Sequence, residues 1–207
     1  GPGLTGDISG KMVVLRNSIF SNNNGSGINI SGGVIADSIA ADDNGQYGIS
    51  VVNYWWTILN SSMSRNGYSG FRSSVYSQAS SFQAQIIGCD VFENGDWGID
   101  SYHDSPSSIF IINDNTVKGN GVNSGGEGGN GGIKSHGGYY SEGSEIAGNM
   151  VGNNNGAGIY SWGSDPTHTI SNNLVYNNVG HGIHEAYQQT RSTISGNIVV
   201  NNGGIGI

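Results

Sequence analysis

Segment 96–104, with the sequence DWGIDSYHD, gathers the side chains of this chain that are best suited to moving protons. Asp100, Tyr102, His103 and Asp104 place a carboxylate, a phenol, an imidazole and a second carboxylate within five positions. Such groups act as general acids and bases when they are held against a substrate, and imidazole does so near neutral pH. Whether they can act together depends on the elements that carry them.

The same segment contains a Gly-Ile pair that recurs along the whole chain. We call the apolar residue after the glycine the anchor, and it returns at intervals of 21 to 34 residues. The anchors are Ile28, Ile49, Phe71, Ile99, Ile133, Ile159, Ile183 and Ile205. The shorter intervals do not accommodate two helices, but they fit a coil of three short strands whose turns stack about 4.8 Å apart. The repeat therefore predicts an all-β fold, a right-handed parallel β-helix of about eight rungs with three short strands per rung, forming a single domain over residues 1–207.

The amino-acid composition and a second set of recurring residues, most of them Asn, agree with this fold. The chain has 23 Ile against 4 Leu, a choice that favours strands over helices. Asn tolerates left-handed backbone, and stacked Asn side chains can hydrogen-bond from rung to rung, so we expect Asn at the corners of the coil. The predicted corner register is Asn17, Asp37, Asn60, Cys89, Asn115, Asn149, Asn173 and Asn197. Within it, the single cysteine is expected to be a buried structural thiol.

Charge and hydropathy disfavour several classes of partner. The formal net charge of −8 disfavours binding to nucleic acid or to anionic membranes. No apolar run approaches the roughly 18 residues of a transmembrane helix, so membrane insertion is not expected. Only 7 residues are Lys or Arg, while Asn, Ser and Gly are abundant. This composition fits an extracellular or cell-surface protein.

The residues that follow the anchors form two predicted outward-facing rows, because side chains alternate along a strand. The outward row, one position after each anchor, contains Asn29, Ser50, Arg72, Asp100, Lys134, Tyr160, His184 and Gly206. The second row, three positions after each anchor, contains Ser31, Val52, Ser74, Tyr102, His136, Trp162 and Ala186. Charged residues make up only 11% of the chain, yet three of them occupy consecutive positions in the outward row. The longest anchor intervals, 28 and 34, flank the same rungs, and insertions of this kind often mark a binding face.

The rung pattern resembles the pectate-lyase-like β-helix superfamily over essentially all 207 residues. Within it, segment 97–104 resembles the mannuronan C5-epimerase motif Tyr-Gly-Phe-Asp-Pro-His-Asp. Asp100 and His103 match the Asp and His of that motif if one insertion is allowed, while Trp97 replaces the Tyr and the Pro is absent. The extra residue could turn His103 to the opposite side of its strand.

The resemblance implies chemistry on a uronate, in which the carboxylate is neutralised so that the neighbouring C–H becomes acidic. The motif match implies catalytic roles for Asp100 and His103. If it holds, the residue types of the outward row add Lys134, Tyr160 and His184 as catalytic candidates. Arg72 or Lys134 would supply positive charge, and Tyr160 would donate a proton. The general base would be His103, His136 or His184. The expected substrate-binding residues, several of them stacking platforms for sugar rings, are Arg72, Trp97, Tyr102, His136, Trp162 and Tyr187.

Three alternatives stay open at this point. A glycoside hydrolase would need two carboxyl groups about 5–9.5 Å apart, for which Asp100 and Asp104 are the candidates, and we rank it below lyase or epimerase. The Asp100–Lys134 pair could instead be an ordinary surface ion pair. The protein could also be a structural or adhesive β-helix without enzymatic activity, whose uncapped ends stack into an oligomer or fibre. No cofactor is expected, although calcium could bind, and the expected partner is a polysaccharide.

Overall fold

The computed structural model describes residues 1–76, 83–104, 109–123, 130–138, 143–163, 167–186 and 192–207. Within these ranges the chain is all-β, its strands pair in parallel, and it contains no helix, so none could span a membrane. The strands are β1 (Leu4–Arg16), β2 (Ile28–Asp37), β3 (Ile49–Val52), β4 (Trp56–Leu59), β5 (Phe71–Tyr76), β6 (Gln83–Ile87), β7 (Asp90–Phe92), β8 (Ile99–Asp104), β9 (Ile109–Asn113), β10 (Thr116–Lys118), β11 (Ile133–Gly137), β12 (Ser144–Ala147), β13 (Met150–Gly152), β14 (Ile159–Gly163), β15 (Thr169–Ser171), β16 (Leu174–Tyr176), β17 (Ile183–Ala186), β18 (Thr193–Ser195) and β19 (Ile198–Val200).

The strands stack into three faces. The anchor face runs β2, β3, β5, β8, β11, β14, β17, and the second face runs β2, β4, β6, β9, β12, β15, β18. The long strand β2 belongs to both faces, because residues 28–31 pair with β3 and residues 34–37 pair with β4. The third face contains β7, β10, β13, β16 and β19. The predicted parallel β-helix is confirmed, with about seven turns against the eight rungs expected.

The anchors fill the interior, as their spacing predicts. Those from Ile28 to Ile183 are at most 2% exposed, whereas Ile205 in the last turn is 66% exposed. Trp56, Phe71 and Phe110 are fully buried and pack ring against ring, with centroids 4.5 and 5.2 Å from Trp56. Burial of apolar surface by each turn against the next stabilises the stack.

Two corners of each turn share one local design. At both corners a residue with positive φ comes directly before the position that hydrogen-bonds to the next rung. That position uses its backbone N–H at Ile39 and Cys89, and both its backbone N–H and its side chain where it is Asn. At the second corner the following residue is always Asn, in an unbroken ladder of Asn23, Asn44, Asn66, Asn94, Asn120, Asn154, Asn178 and Asn202. At each step the side-chain amide and the backbone N–H donate to Oδ1 of the next Asn, so buried polar groups are satisfied within the coil.

The predicted corner register is partly wrong. Asn17 and Asn60 are the positive-φ residues of the first corner, and Asp37 lies one position before the corresponding Ser38. The hydrogen-bonding position follows the positive-φ residue, and a side-chain ladder occupies it from Asn115 to Asn197. Asn suits both adjacent corner positions, so composition alone does not distinguish the positive-φ residue from the hydrogen-bonding residue that follows it.

Cys89 occupies the same hydrogen-bonding position one rung before the Asn ladder starts. It is 1% exposed, and its Sγ lies 3.5 Å from the carbonyl oxygen of Ile87. Burial raises the pKa of this thiol to about 12. The expectation of a buried structural cysteine is confirmed, since the reactive thiolate is strongly disfavoured there.

Candidate functional site

The outward row lies on adjacent strands of the anchor face. Strand register pairs Arg72 with Asp100, Asp100 with Lys134, Lys134 with Tyr160, and Tyr160 with His184. These residues, 24 to 34 positions apart in sequence, become neighbours about 4.8 Å apart along the coil. Each of them is partly exposed. The predicted neighbour relationship is therefore confirmed, while the catalytic roles stay predictions.

Lys134 is the centre of this row. Its Nζ lies 3.2 Å from Oδ1 of Asp100, and the two side chains are 30% and 22% exposed. The same Nζ lies 6.0 Å from the centroid of the Trp97 ring, which is 6% exposed. A carboxylate and an indole thus fix the position of the ammonium group.

Tyr160 and His184 continue the row beyond the ammonium group. The Tyr160 ring lies 5.9 Å from that of Trp97 and 5.2 Å from that of His184, centroid to centroid. The His181 ring also packs against His184, at 4.6 Å between centroids. Burial, and then the neighbouring His181, lower the pKa of His184, so its imidazole is neutral at neutral pH. A neutral imidazole can accept a proton.

An aromatic strip lies beside the outward row and consists of three residues of the second row together with Tyr76 at the end of β5. Ring centroids lie 5.0 Å apart between Tyr76 and Tyr102, 4.5 Å between Tyr102 and His136, and 3.8 Å between His136 and Trp162. Burial, followed by the charges of Lys134 and His168, lowers the pKa of His136 to about 4. Because the rings pack against one another, they present a shared surface rather than separate platforms. Tyr187, the remaining predicted binding residue, lies outside the described residues.

His103 does not face this surface. Along β8, Asp100 and Tyr102 are partly exposed, whereas Ser101 and His103 are 0% exposed. The His103 ring lies 4.1 Å from the Phe110 ring, and neither of its nitrogens has a hydrogen-bond partner. Burial, followed by the nearby His168 and His136, lowers its pKa to about 3. Of the three candidate general bases, His103 is therefore ruled out as a surface group, because the inserted residue turns its imidazole into the core.

The carboxyl pair suggested for a hydrolase is also unfavourable. Asp100 and Asp104 both point outward from β8, four positions apart. Four residues of strand separate their Cα atoms by about 13 Å, so their carboxyl groups come within the roughly 5–9.5 Å of glycoside hydrolysis only if both side chains lean toward each other. This geometry favours the other chemistries for the outward row.

Asp96 is a site residue that sequence reasoning missed. Its Oδ1 accepts a hydrogen bond from Nδ2 of Asn130 at 2.8 Å. Burial, followed by the charge of Asp100, raises the pKa of Asp96. It lies in the corner before β8, where side chains do not alternate as they do in a strand, so neither predicted row includes it. The sequence signal for Asp96 is its position next to Trp97, within segment 96–104.

The described ranges contain no group of three or more His, Cys, Asp or Glu side chains that could hold a metal ion. Asp96, Asp100 and Lys134 instead form a mixed cluster in which a cation already neutralises one carboxylate. Calcium binding stays a prediction, to be tested by chelation.

Comparison with known protein families, with characterised proteins and with solved structures finds no match to this chain. The resemblance to C5-epimerases therefore depends on segment 97–104 alone.

Proposed function

We propose that this protein is an extracellular enzyme that acts on a uronate-containing polysaccharide, as a lyase or a C5-epimerase, on the outward surface of the anchor face. The observation that carries the proposal is the order of side chains on four successive strands. Asp100, Lys134, Tyr160 and His184 present a carboxylate, an ammonium, a phenol and an imidazole in adjacent register. Their spacing of about 4.8 Å matches the scale of a single sugar ring and its neighbours.

Each group has a role in removing the C5 proton of a uronate. The ammonium of Lys134 pairs with the substrate carboxylate, which stabilises the negative charge that develops when the proton leaves. Asp100 holds that ammonium in place through its ion pair. His184 is the general base, because its lowered pKa keeps the imidazole unprotonated.

Tyr160 lies between the cation and the base and completes the reaction as a proton donor. In a lyase, the C5 electron pair forms a C4–C5 double bond, the C4–O bond breaks, and the phenol protonates the departing oxygen. In an epimerase, the phenol instead returns a proton to the opposite face of C5. Both reactions need the same three groups. They differ in the atom that receives the proton from Tyr160, which is the departing C4 oxygen in a lyase and C5 in an epimerase.

The aromatic strip supports substrate binding beside these groups. Tyr102, His136 and Trp162 offer apolar ring surface to pyranose rings, while the outward row contacts their polar substituents. A polysaccharide lying along the coil axis would contact several strands at once.

A panel of polyuronates and neutral polysaccharides tests the proposal. Ultraviolet absorbance of an unsaturated uronate reports lyase activity, and proton NMR of the polymer reports epimerisation. Lys134→Met, Tyr160→Phe and His184→Ala should each reduce turnover by about 100-fold or more without loss of folded structure. Lys118→Met and Tyr176→Phe, on the third face, are the matched controls and should leave turnover unchanged.

Two results would contradict the proposal. One is full turnover in all three outward-row variants. The other is the absence of product from every polyuronate, with and without added calcium, combined with filaments in negative-stain images. The second result would favour the structural alternative, in which the coils associate end to end.

A further inference from the structure

The two cations of the outward row have different partners. Lys134 pairs with Asp100, whereas the Arg72 guanidinium forms no ion pair with any carboxylate in the part of the chain that the structure describes. Acidic groups are not scarce, since the chain has 15 Asp plus Glu against 7 Lys plus Arg. An Arg that pairs with no carboxylate of the described residues can bind an anion from outside.

Neutral groups hold this guanidinium in place. Its Nη1 donates a hydrogen bond to the Tyr47 hydroxyl at 2.5 Å, and its Cζ lies 5.1 Å from the centroid of the Tyr47 ring. The Tyr68 ring packs edge-on against Tyr47 at 5.3 Å between centroids. Arg72 and Tyr47 are half-buried, and Tyr68 is 44% exposed. The side chain is thus ordered before any ligand arrives, which lowers the entropic cost of binding.

The remaining donors suit a planar anion. A guanidinium carries five N–H groups in a rigid fork that matches a carboxylate with two parallel hydrogen bonds, and the contact with Tyr47 occupies only one edge of it. Two tyrosine rings beside the fork offer apolar surface to the sugar that carries the carboxylate.

We propose that Arg72, Tyr47 and Tyr68 form a carboxylate-binding subsite for a uronate residue, separate from the Asp100–Lys134 pair. Arg72 on β5 and Lys134 on β11 are two strands apart, about 10 Å, so one polysaccharide chain along the coil can contact both. The choice of a sugar carboxylate as ligand rests on the proposed function, whereas the subsite itself rests on the contacts of Arg72. Tyr47 and Tyr68 would set specificity for an anionic sugar over a neutral one.

Binding of uronate oligosaccharides, measured by calorimetry against neutral and sulfated oligosaccharides of equal length, tests the subsite. Arg72→Gln should weaken uronate binding by about ten- to a hundredfold, the range expected for a lost charge-assisted hydrogen bond. Arg72→Lys should fall between Gln and the wild type, because it keeps the charge without the fork. Arg65→Gln is the matched control, since Arg65 already pairs with Asp43 at 2.7 Å, and it should bind as the wild type does. Circular dichroism checks that each variant is folded.

The outcomes separate the subsite from the proposed enzyme activity. Wild-type affinity in both Arg72 variants, equal binding of neutral and uronate sugars, or no uronate binding at all would overturn the subsite. Preference for the sulfated sugar would overturn the assignment to a carboxylate. Binding of uronates that depends on Arg72 but occurs without turnover would support the subsite and contradict the proposed enzyme activity. Turnover together with binding that does not depend on Arg72 would support the enzyme activity and contradict the subsite.

Discussion

Strand β8 supplies side chains to both surfaces of the anchor face, and their environments differ sharply. Outside, Asp100 is partly exposed and lies in an ion pair, and Tyr102 packs in the aromatic strip. Inside, Ser101 and His103 are fully buried, and the His103 ring nitrogens lack hydrogen-bond partners. One position along the strand thus decides whether a polar side chain can meet a substrate or only affects stability.

The histidines show the same contrast. Burial lowers the pKa of both His103 and His136, to about 3 and about 4. His136 reaches the outer surface, where a neutral imidazole contributes to the binding strip. His103 and the fully buried His168, whose pKa burial lowers to about 4, remain in the interior, where protonation would place a charge in the core. Acid should therefore lower the stability of the fold through the buried histidines, whereas substitutions on the outer surface should lower turnover.

Acid should have the largest effect on stability. A histidine in the unfolded chain has a pKa near 6.5, whereas burial in the folded chain lowers the pKa of His103 to about 3 and that of His168 to about 4. Between these values the unfolded chain binds more protons, so the free energy of unfolding falls as pH falls. Together, the two histidines should lower the free energy of unfolding by on the order of 5 kcal/mol between pH 6.5 and pH 4. Urea unfolding across this range measures it.

The double variant His103→Leu/His168→Leu is the control for this prediction, and its stability should change much less with pH. A wild-type stability that stays constant from pH 6.5 to pH 4 would show that the two rings are not buried in the core.

Loss of one corner asparagine should have the next largest effect. The Asn94 side chain accepts two hydrogen bonds from Asn66 and donates one to Met63 and one to Asn120, all at 2.8 to 3.0 Å. Asn94→Ala leaves several buried polar groups without partners, so we expect a loss of roughly 2–5 kcal/mol in the free energy of unfolding. Asn29→Ala, at an exposed position, should change it by less than about 0.5 kcal/mol. Similar urea midpoints for the two variants would mean that the ladder contributes little to stability.

The fold and the outward row could be predicted because a parallel stack without register shifts depends only on the repeat. Once the Gly-Ile anchors are aligned, Asp100, Lys134 and Tyr160 must be neighbours, whatever the lengths of the intervening loops. Asp96 and Tyr47 could not be placed in this way, because corner residues follow turn geometry and have no alternating pattern. The motif resemblance places His103 at the catalytic centre, whereas alternation along β8 from Ile99 places it inside. The one residue inserted relative to the motif accounts for the difference.

The smallest expected effect is that of His103→Leu, and it separates the two surfaces most directly. Leucine fills a similar volume and removes two buried nitrogens that lack partners, so at pH 7 the free energy of unfolding should be unchanged or rise by up to about 1 kcal/mol. Turnover on an identified polyuronate should stay at the wild-type level, because the side chain lies behind the sheet. Asp100→Asn, three residues earlier on the outer surface, should lose turnover while its stability changes by no more than about 1 kcal/mol. If His103→Leu instead abolishes turnover and remains folded, the imidazole must reach the substrate, and the alternation of β8 would have to break before residue 103.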